Sequence, residues 1–292
     1  MAFCGCVCVV MVSLYEGSNR RSEFGVWDPR IRTVKAFVGV RTLEIECTTT
    51  MIHCFLSLFL AVSAYGAVFA QAPIDNYVAA VADALVRTLD EVSNSLIVID
   101  AKSPVRVVTW VRSDQVNRLK DPGTGAWLRK APSDMWVTVV PKLREFCRAF
   151  AASRAASIGE LTLRLEQRLG LPPGNNKTAF VELEVKDAAK TKNLFRPCAS
   201  PSVVTGTCGV EPPAESVPAG YRNWFYRQYY FSFGVAPTYP WTALGYTFDW
   251  APAEGGEPRF VEVGESEFVI PRGGDIQIQS VTPTLEYCSA PQ

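Results

Sequence analysis

Between Met51 and Ala72 the chain carries no Lys, Arg, Asp or Glu. An apolar run of this kind, closing on the modest side chains of Val68-Phe69-Ala70, has the form of a secretory signal. Cleavage is expected after Ala70 rather than after Ala72, because Pro73 would follow the second cut and its ring disfavours the extended peptide a protease binds. The exported chain then spans residues 71–292. It is built for an oxidising compartment, and that constrains the fold more than any other stretch. Residues 1–50 read as a doubtful N-terminal extension, with Cys4, Cys6 and Cys8 in alternation, clustered arginines and no sustained period. Met51 reads as the initiator, although a signal starting there has no Lys or Arg before its apolar core. If the extension is translated and the signal retained, residues 52–70 become a membrane anchor.

Export changes the meaning of the nine cysteines. Five of them precede the cut, which leaves Cys147, Cys198, Cys208 and Cys288. Four cysteines in an exported chain suggest two disulfides with three possible connectivities. Cys198 and Cys208 flank a short Pro-, Ser- and Gly-containing loop that closes locally. Cys147 and Cys288 then remain for a long-range link. In the chain-entropy model a loop that long contributes roughly 4–5 kcal/mol.

Export also removes the single histidine, His53. The exported chain has none, which excludes Ser-His-Asp and Cys-His catalysis, imidazole zinc or copper sites and His-ligated haem. No Cys-X-X-Cys pair and no Asp-rich calcium loop occurs, so no metal site and no cofactor are expected. Carboxylate chemistry, Lys or Tyr chemistry, or binding without chemistry remains. Asp249, Glu265 and Glu267 fall near Trp241, Tyr246 and Trp250. Paired carboxylates beside aromatic platforms are what glycan cleavage needs, so these three are the catalytic candidates. Glutamates alternating with Val261, Val263 and Phe268 also describe the wet face of a strand.

Charge is balanced at 29 against 29 over the chain but is uneven along it. Residues 101–170 hold 13 Lys and Arg against 6 Asp and Glu, whereas residues 211–292 hold 4 against 10. Halves of opposite sign are expected to pair with each other. No basic helix is interleaved with base-stacking aromatics, so nucleic acid is not an expected partner.

The apolar spacing Ile74, Tyr77, Val78, Val81, Leu85, Leu89, Val92 predicts an amphipathic helix over 74–92. Residues 96–99, 105–111 and 135–140 read as strands. Pro141 opens a helix that carries Leu143, Phe146, Cys147 and Phe150 on one face. Ser157-Ile158-Gly159-Glu160 is a capping box that starts another, stopped by Gly170 and Pro172-Pro173. Ala179 to Val185 alternates as a strand, and Asn176-Lys177-Thr178 is a glycosylation sequon. Tyr221 to Phe233 is dense in aromatics and is expected to be a strand on propensity. Residues 260–263, 268–270 and 276–281 are further strands, the last two joined as a hairpin through Arg272-Gly273-Gly274-Asp275. Trp224, Tyr226, Tyr230, Trp241 and Trp250 are the ligand-binding candidates.

The segments Leu169-Gly170-Leu171-Pro172-Pro173, Leu194-Phe195-Arg196-Pro197-Cys198, Tyr239-Pro240-Trp241-Thr242, Leu244-Gly245-Tyr246-Thr247-Phe248-Asp249-Trp250 and Ser266-Glu267-Phe268-Val269 together resemble a group of exported bacterial, proteobacterial-type proteins of unassigned activity. The resemblance spans roughly residues 104–288 and implies a periplasmic or secreted protein. It implies no substrate, cofactor or catalytic residue.

The expected molecule is one exported α+β domain, with an antiparallel or mixed sheet, about three helices and two disulfides. Its expected role is binding or interaction in the envelope or outside the cell, with an envelope protein or a glycan as partner. The alternative is a histidine-free carboxylate-dependent enzyme acting on glycan or cell wall.

Overall fold

A computed structural model describes residues 33–38, 41–46, 73–100, 103–154, 156–188, 190–234, 238–256 and 258–289. The expected signal peptide, residues 51–70, lies outside these residues. The chain divides into two units, Met1–Tyr65 and Gly66–Gln292. In the first, β1 (Thr33–Val38) and β2 (Arg41–Glu46) form an antiparallel ladder that sets Val34 opposite Ile45 and Ala36 opposite Leu43. Residues 1–50 therefore contain a two-stranded ladder, although their sequence shows no sustained period.

The second unit is an α+β structure around a six-stranded sheet. Its strands are β3 (Val105–Val111), β4 (Met135–Val139), β5 (Ala179–Val185), β6 (Tyr246–Pro252), β7 (Phe260–Ile270) and β8 (Gln277–Pro283). They lie in the order β6-β7-β4-β3-β5-β8, with every neighbouring pair antiparallel. Alternation along the strands splits the core in two. Val107, Val137, Val181, Leu183, Phe268 and Ile270 pack on one face beneath irregular chain that includes Ile99, Leu119, Leu194 and Val203. Val108, Trp110 and Phe180 pack on the other beneath α3 (Lys142–Arg154), α4 (Ile158–Arg168) and the short α6 (Thr284–Cys288).

Among the described residues there are six α-helices rather than about three. The additional ones are α2 (Ser113–Val116), α5 (Ala219–Tyr229) and α6. Residues 73–83 form α1, which stops well short of Val92. Its buried face is Tyr77, Ala80, Val81 and Ala84 against Phe248, Trp250 and Phe260. Small alanines permit that close approach, and Leu85 and Leu89 fall outside the seam, exposed.

Ser157 caps α4 as its sequence requires: its hydroxyl accepts from Glu160 N–H and the Glu160 carboxylate accepts from Ser157 N–H. Gly170, at φ +62°, ends that helix against the backbone of Phe248.

Three expectations fail. Tyr221 to Phe233 is helical, as α5 followed by a π-helical turn over Tyr230–Gly234. The spacing Tyr221, Phe225, Tyr229, Phe233 buries one helical face against Phe195, Trp241 and Val269. Tertiary burial here overrides β-propensity. Residues 96–99 form no strand, although Leu96 and Ile99 donate backbone hydrogen bonds to Gly206 and Val203. The β7–β8 hairpin is absent, because β7 lies beside β4 and β8 is the far edge beside β5. The Arg272–Asp275 turn instead pairs with the 129–131 loop, through Gly273 N–H to Ala131, Ala131 N–H to Gly274 and the Lys130–Asp275 ion pair at 2.6 Å.

Both disulfides form, Cys147–Cys288 and Cys198–Cys208. The first ties α3 to α6 over the helix-covered face. The second closes the loop beside Leu96, Leu244 and Tyr246. The basic and acidic stretches also meet, through Arg164–Asp249, Arg168–Glu265 and Lys130–Asp275.

Candidate functional site

The three catalytic candidates separate into two environments. Asp249, on β6, is fully buried and accepts from both terminal nitrogens of Arg164 at 2.9 and 2.8 Å. Arg168, one helical turn further along α4, donates to Glu265 at 2.8 Å and reaches Asp249 at 3.4 Å. Both guanidiniums lie over the Phe146 ring. The geometry is a closed ion-pair cluster that fastens α4 to β6 and β7. Asp249 and Glu265 spend their charge on it.

Glu267 is different. Thr138 of β4 stands opposite Glu267 of β7, in the interior of the sheet. Both line a cavity of about 740 Å³ on the helix-covered side, bounded by Trp110 and Trp136 on the sheet, Leu143 of α3, Leu171 after α4, and Phe231 and Trp241. Three side-chain atoms buried in this wall have no protein hydrogen-bond partner: Glu267 Oε1, Thr138 Oγ1 and Trp241 Nε1. The indole N–H approaches the carboxylate without reaching hydrogen-bond geometry. Buried polar groups are nearly always paired, and an unpaired one carries a desolvation cost of about 1–3 kcal/mol. Three on one wall mark this cavity as more than a packing fault.

Burial drives the Glu267 carboxyl well above the ordinary carboxylate range; the nearby Arg196 guanidinium and the Trp241 N–H act against that shift without cancelling it. Burial therefore favours the protonated form of Glu267, which can donate as well as accept. Arg196 is fully buried, stacks on Phe268, and donates to the carbonyls of Ile97, Thr205 and Gly245. Burial lowers its affinity for its proton to a pKa of about 10, so it remains a cation behind Glu267.

Lys177 and Arg118 also line the cavity. Lys177 donates to the Trp110 carbonyl at 2.7 Å, and burial, with a smaller push from Arg112, lowers its pKa to about 8.

The aromatic candidates fall in four places. Trp250 is core: it is fully buried, and its N–H donates to the Leu171 carbonyl. Trp224 packs among Trp136, Phe195 and Tyr221 and donates to Asp134. Tyr226 and Tyr230 are more than half exposed on α5 and the turn after it. Only Trp241 of the five lines the cavity.

Thr138, Trp136, Trp110 and Lys177 were not singled out from sequence. A signal for the first two exists in Met135-Trp136-Val137-Thr138-Val139, where the alternation sets an indole and a hydroxyl on the same face of an otherwise apolar strand. Asn176 of the sequon is exposed, at φ +59°. No group of His, Cys, Asp and Glu able to hold a metal occurs among the described residues. No family model, curated protein or solved structure matches this chain.

Proposed function

We propose that this is an exported binding protein that holds a small molecule in the cavity between the sheet, α3, the segment after α4, and α5. The observation that carries this reading is the set of three unpartnered polar atoms of Thr138, Trp241 and Glu267 on one wall of a cavity whose lining is mixed, with Trp110, Trp136, Leu143, Leu171 and Phe231 beside polar residues such as Arg118 and Lys177. Ligand sites are apolar concavities of roughly 300–1,000 Å³ with a few converging polar groups, and this cavity has that size and composition. Export is supported by two disulfides, which persist in oxidising compartments, and by the uncharged stretch ending at Ala70. A periplasmic or secreted location goes with that export reading. An envelope partner could use the exposed Tyr226 and Tyr230.

The glycan-cleaving alternative is weaker. Glu267 offers the protonated half of an acid–base pair, but Asp249 and Glu265 are occupied by arginines and neither lines the cavity.

The test is a fluorescence titration with anilinonaphthalene sulfonate, an amphipathic anion that fits a cavity of this size. The expected result is saturable one-to-one enhancement, abolished when Gln228→Trp fills the cavity from α5. No saturable signal, or an undiminished one from that variant, refutes the reading.

A further inference from the structure

The polar wall also indicates what kind of molecule enters, an inference that rests on the binding reading above. We infer that the cavity takes a small apolar molecule headed by one carboxyl group, its head on Glu267, Thr138 and Trp241 and its body along Trp110, Trp136 and Phe231.

The hydrogen-bond inventory argues for this head group. The indole N–H of Trp241 only donates, the Thr138 hydroxyl can do either, and the Glu267 carboxyl accepts and, in the protonated form that burial favours, also donates. A ligand carboxyl supplies two acceptor oxygens and, when protonated, one donor, so it can answer all three atoms at once. Two carboxyls sharing one proton form a short charge-assisted bond. A ligand hydroxyl answers at most part of the wall. An ammonium offers donors alone and leaves the indole N–H unanswered.

The electrostatics point the same way. The titratable and charged neighbours of Glu267 are Arg196, Tyr221 and Tyr246. Burial holds both tyrosines protonated, so Arg196 supplies the fixed charge behind the wall, and it is positive. Arg118 and Lys177 line the same cavity. Asp134, the other acidic lining residue, already accepts from Trp224 Nε1–H and from Arg272 N–H, both at 2.9 Å. A cationic head therefore meets like charge and no free carboxylate, whereas an anionic or acidic head is attracted on entry.

The aromatic lining sets the body. Trp110 and Trp136 belong to the adjacent strands β3 and β4, and Phe231, on the turn after α5, lines the same cavity. These rings suit an aromatic or aliphatic body.

Calorimetric titration with phenylbutyric acid, phenylbutanol and phenylbutylamine tests the head group on a constant body. The acid is expected to bind at least about 10-fold more tightly than the alcohol, the difference a charge-assisted hydrogen bond makes, with the amine weakest. Trp241→Phe and Thr138→Val should each weaken the acid by about 10-fold. Glu267→Gln keeps a neutral donor and acceptor and should hold acid affinity within about 3-fold, whereas Glu267→Leu should lose it. Alcohol or amine binding as tightly as the acid overturns the head-group assignment and leaves the binding reading standing. Acid affinity unchanged in Trp241→Phe and Glu267→Leu, with circular dichroism showing both folded, also overturns it. If none of the three binds at about 5 mM, weaker than about −3 kcal/mol, the cavity is not a site for such molecules and both readings fail.

Discussion

Replacing Asp249 separates a structural carboxylate from a catalytic one. Its side chain is wholly out of solvent and accepts two bonds from Arg164 at 2.9 and 2.8 Å and one from Ala251 N–H at 3.1 Å, with Arg168 at 3.4 Å. Deleting one partner of a buried pair costs about 3–5 kcal/mol, chiefly because the other charge is stranded. Arg164 and Arg168 retain 16% and 21% exposure, so water recovers part of that cost. Asp249→Ala should therefore lose about 3 kcal/mol, the lower end of the range. For a domain of this size each kcal/mol moves Tm by about 2–4 °C, which gives a fall of about 6–12 °C in a thermal melt followed by circular dichroism. Removing both charges with Asp249→Leu and Arg164→Met should recover most of the loss, since an apolar pair of similar volume is close to neutral. A single variant within about 1 kcal/mol of wild type, or a double variant no better than the single, refutes the assignment of Asp249 to the ion-pair cluster.

Three further outcomes are expected. Lys177 has a folded pKa of about 8, below the ordinary 10.5, so the folded state holds fewer protons than the unfolded state between those values and stability rises with pH across that window. Lys177→Met should remove that contribution, seen as a difference of up to about 1 kcal/mol per pH unit between the two proteins in urea titrations; parallel curves contradict it. Replacing Cys147 and Cys288 by Ala opens a link across 141 residues and should cost roughly 4–5 kcal/mol, against roughly 3 kcal/mol for Cys198 and Cys208, whose separation is 10. Equal losses would show that loop length is not what matters. Intact mass of the exported protein should give a chain starting at Gln71 with its four cysteines oxidised; a mass including Met51 or free thiols overturns the export reading.

The disulfide pattern was legible because cysteine pairing follows from few residues and a short local loop. The α4 capping box was legible for a similar reason, since Ser157 and Glu160 satisfy each other without tertiary help. The helix over Tyr221 to Tyr229 was hidden because eight aromatics in thirteen positions fit either period, and only packing against Phe195 and Val269 selects the helical one. The β7–β8 hairpin failed because Gly273 and Gly274 specify a turn but not which strand receives the next segment. In the candidate site, Glu267 and Trp241 were picked out for their chemistry. Asp249 and Glu265 share that chemistry, and only their arginine partners, 81–97 residues away in sequence, reveal a different role. Thr138 has meaning only once β4 and β7 are paired.

Occupation of the Thr138, Trp241 and Glu267 wall by a ligand is read from the indole N–H resonances in a proton–nitrogen correlation spectrum titrated with phenylbutyric acid. The Trp241 N–H has no protein acceptor, whereas the Trp250 N–H is held by the Leu171 carbonyl and the Trp110 N–H by Thr284. The Trp241 resonance is expected to shift downfield saturably as it gains an acceptor, with the Trp250 resonance unmoved. A Trp241 resonance that stays in place while the acid saturates the protein, or shifts only in step with Trp250, contradicts that occupation.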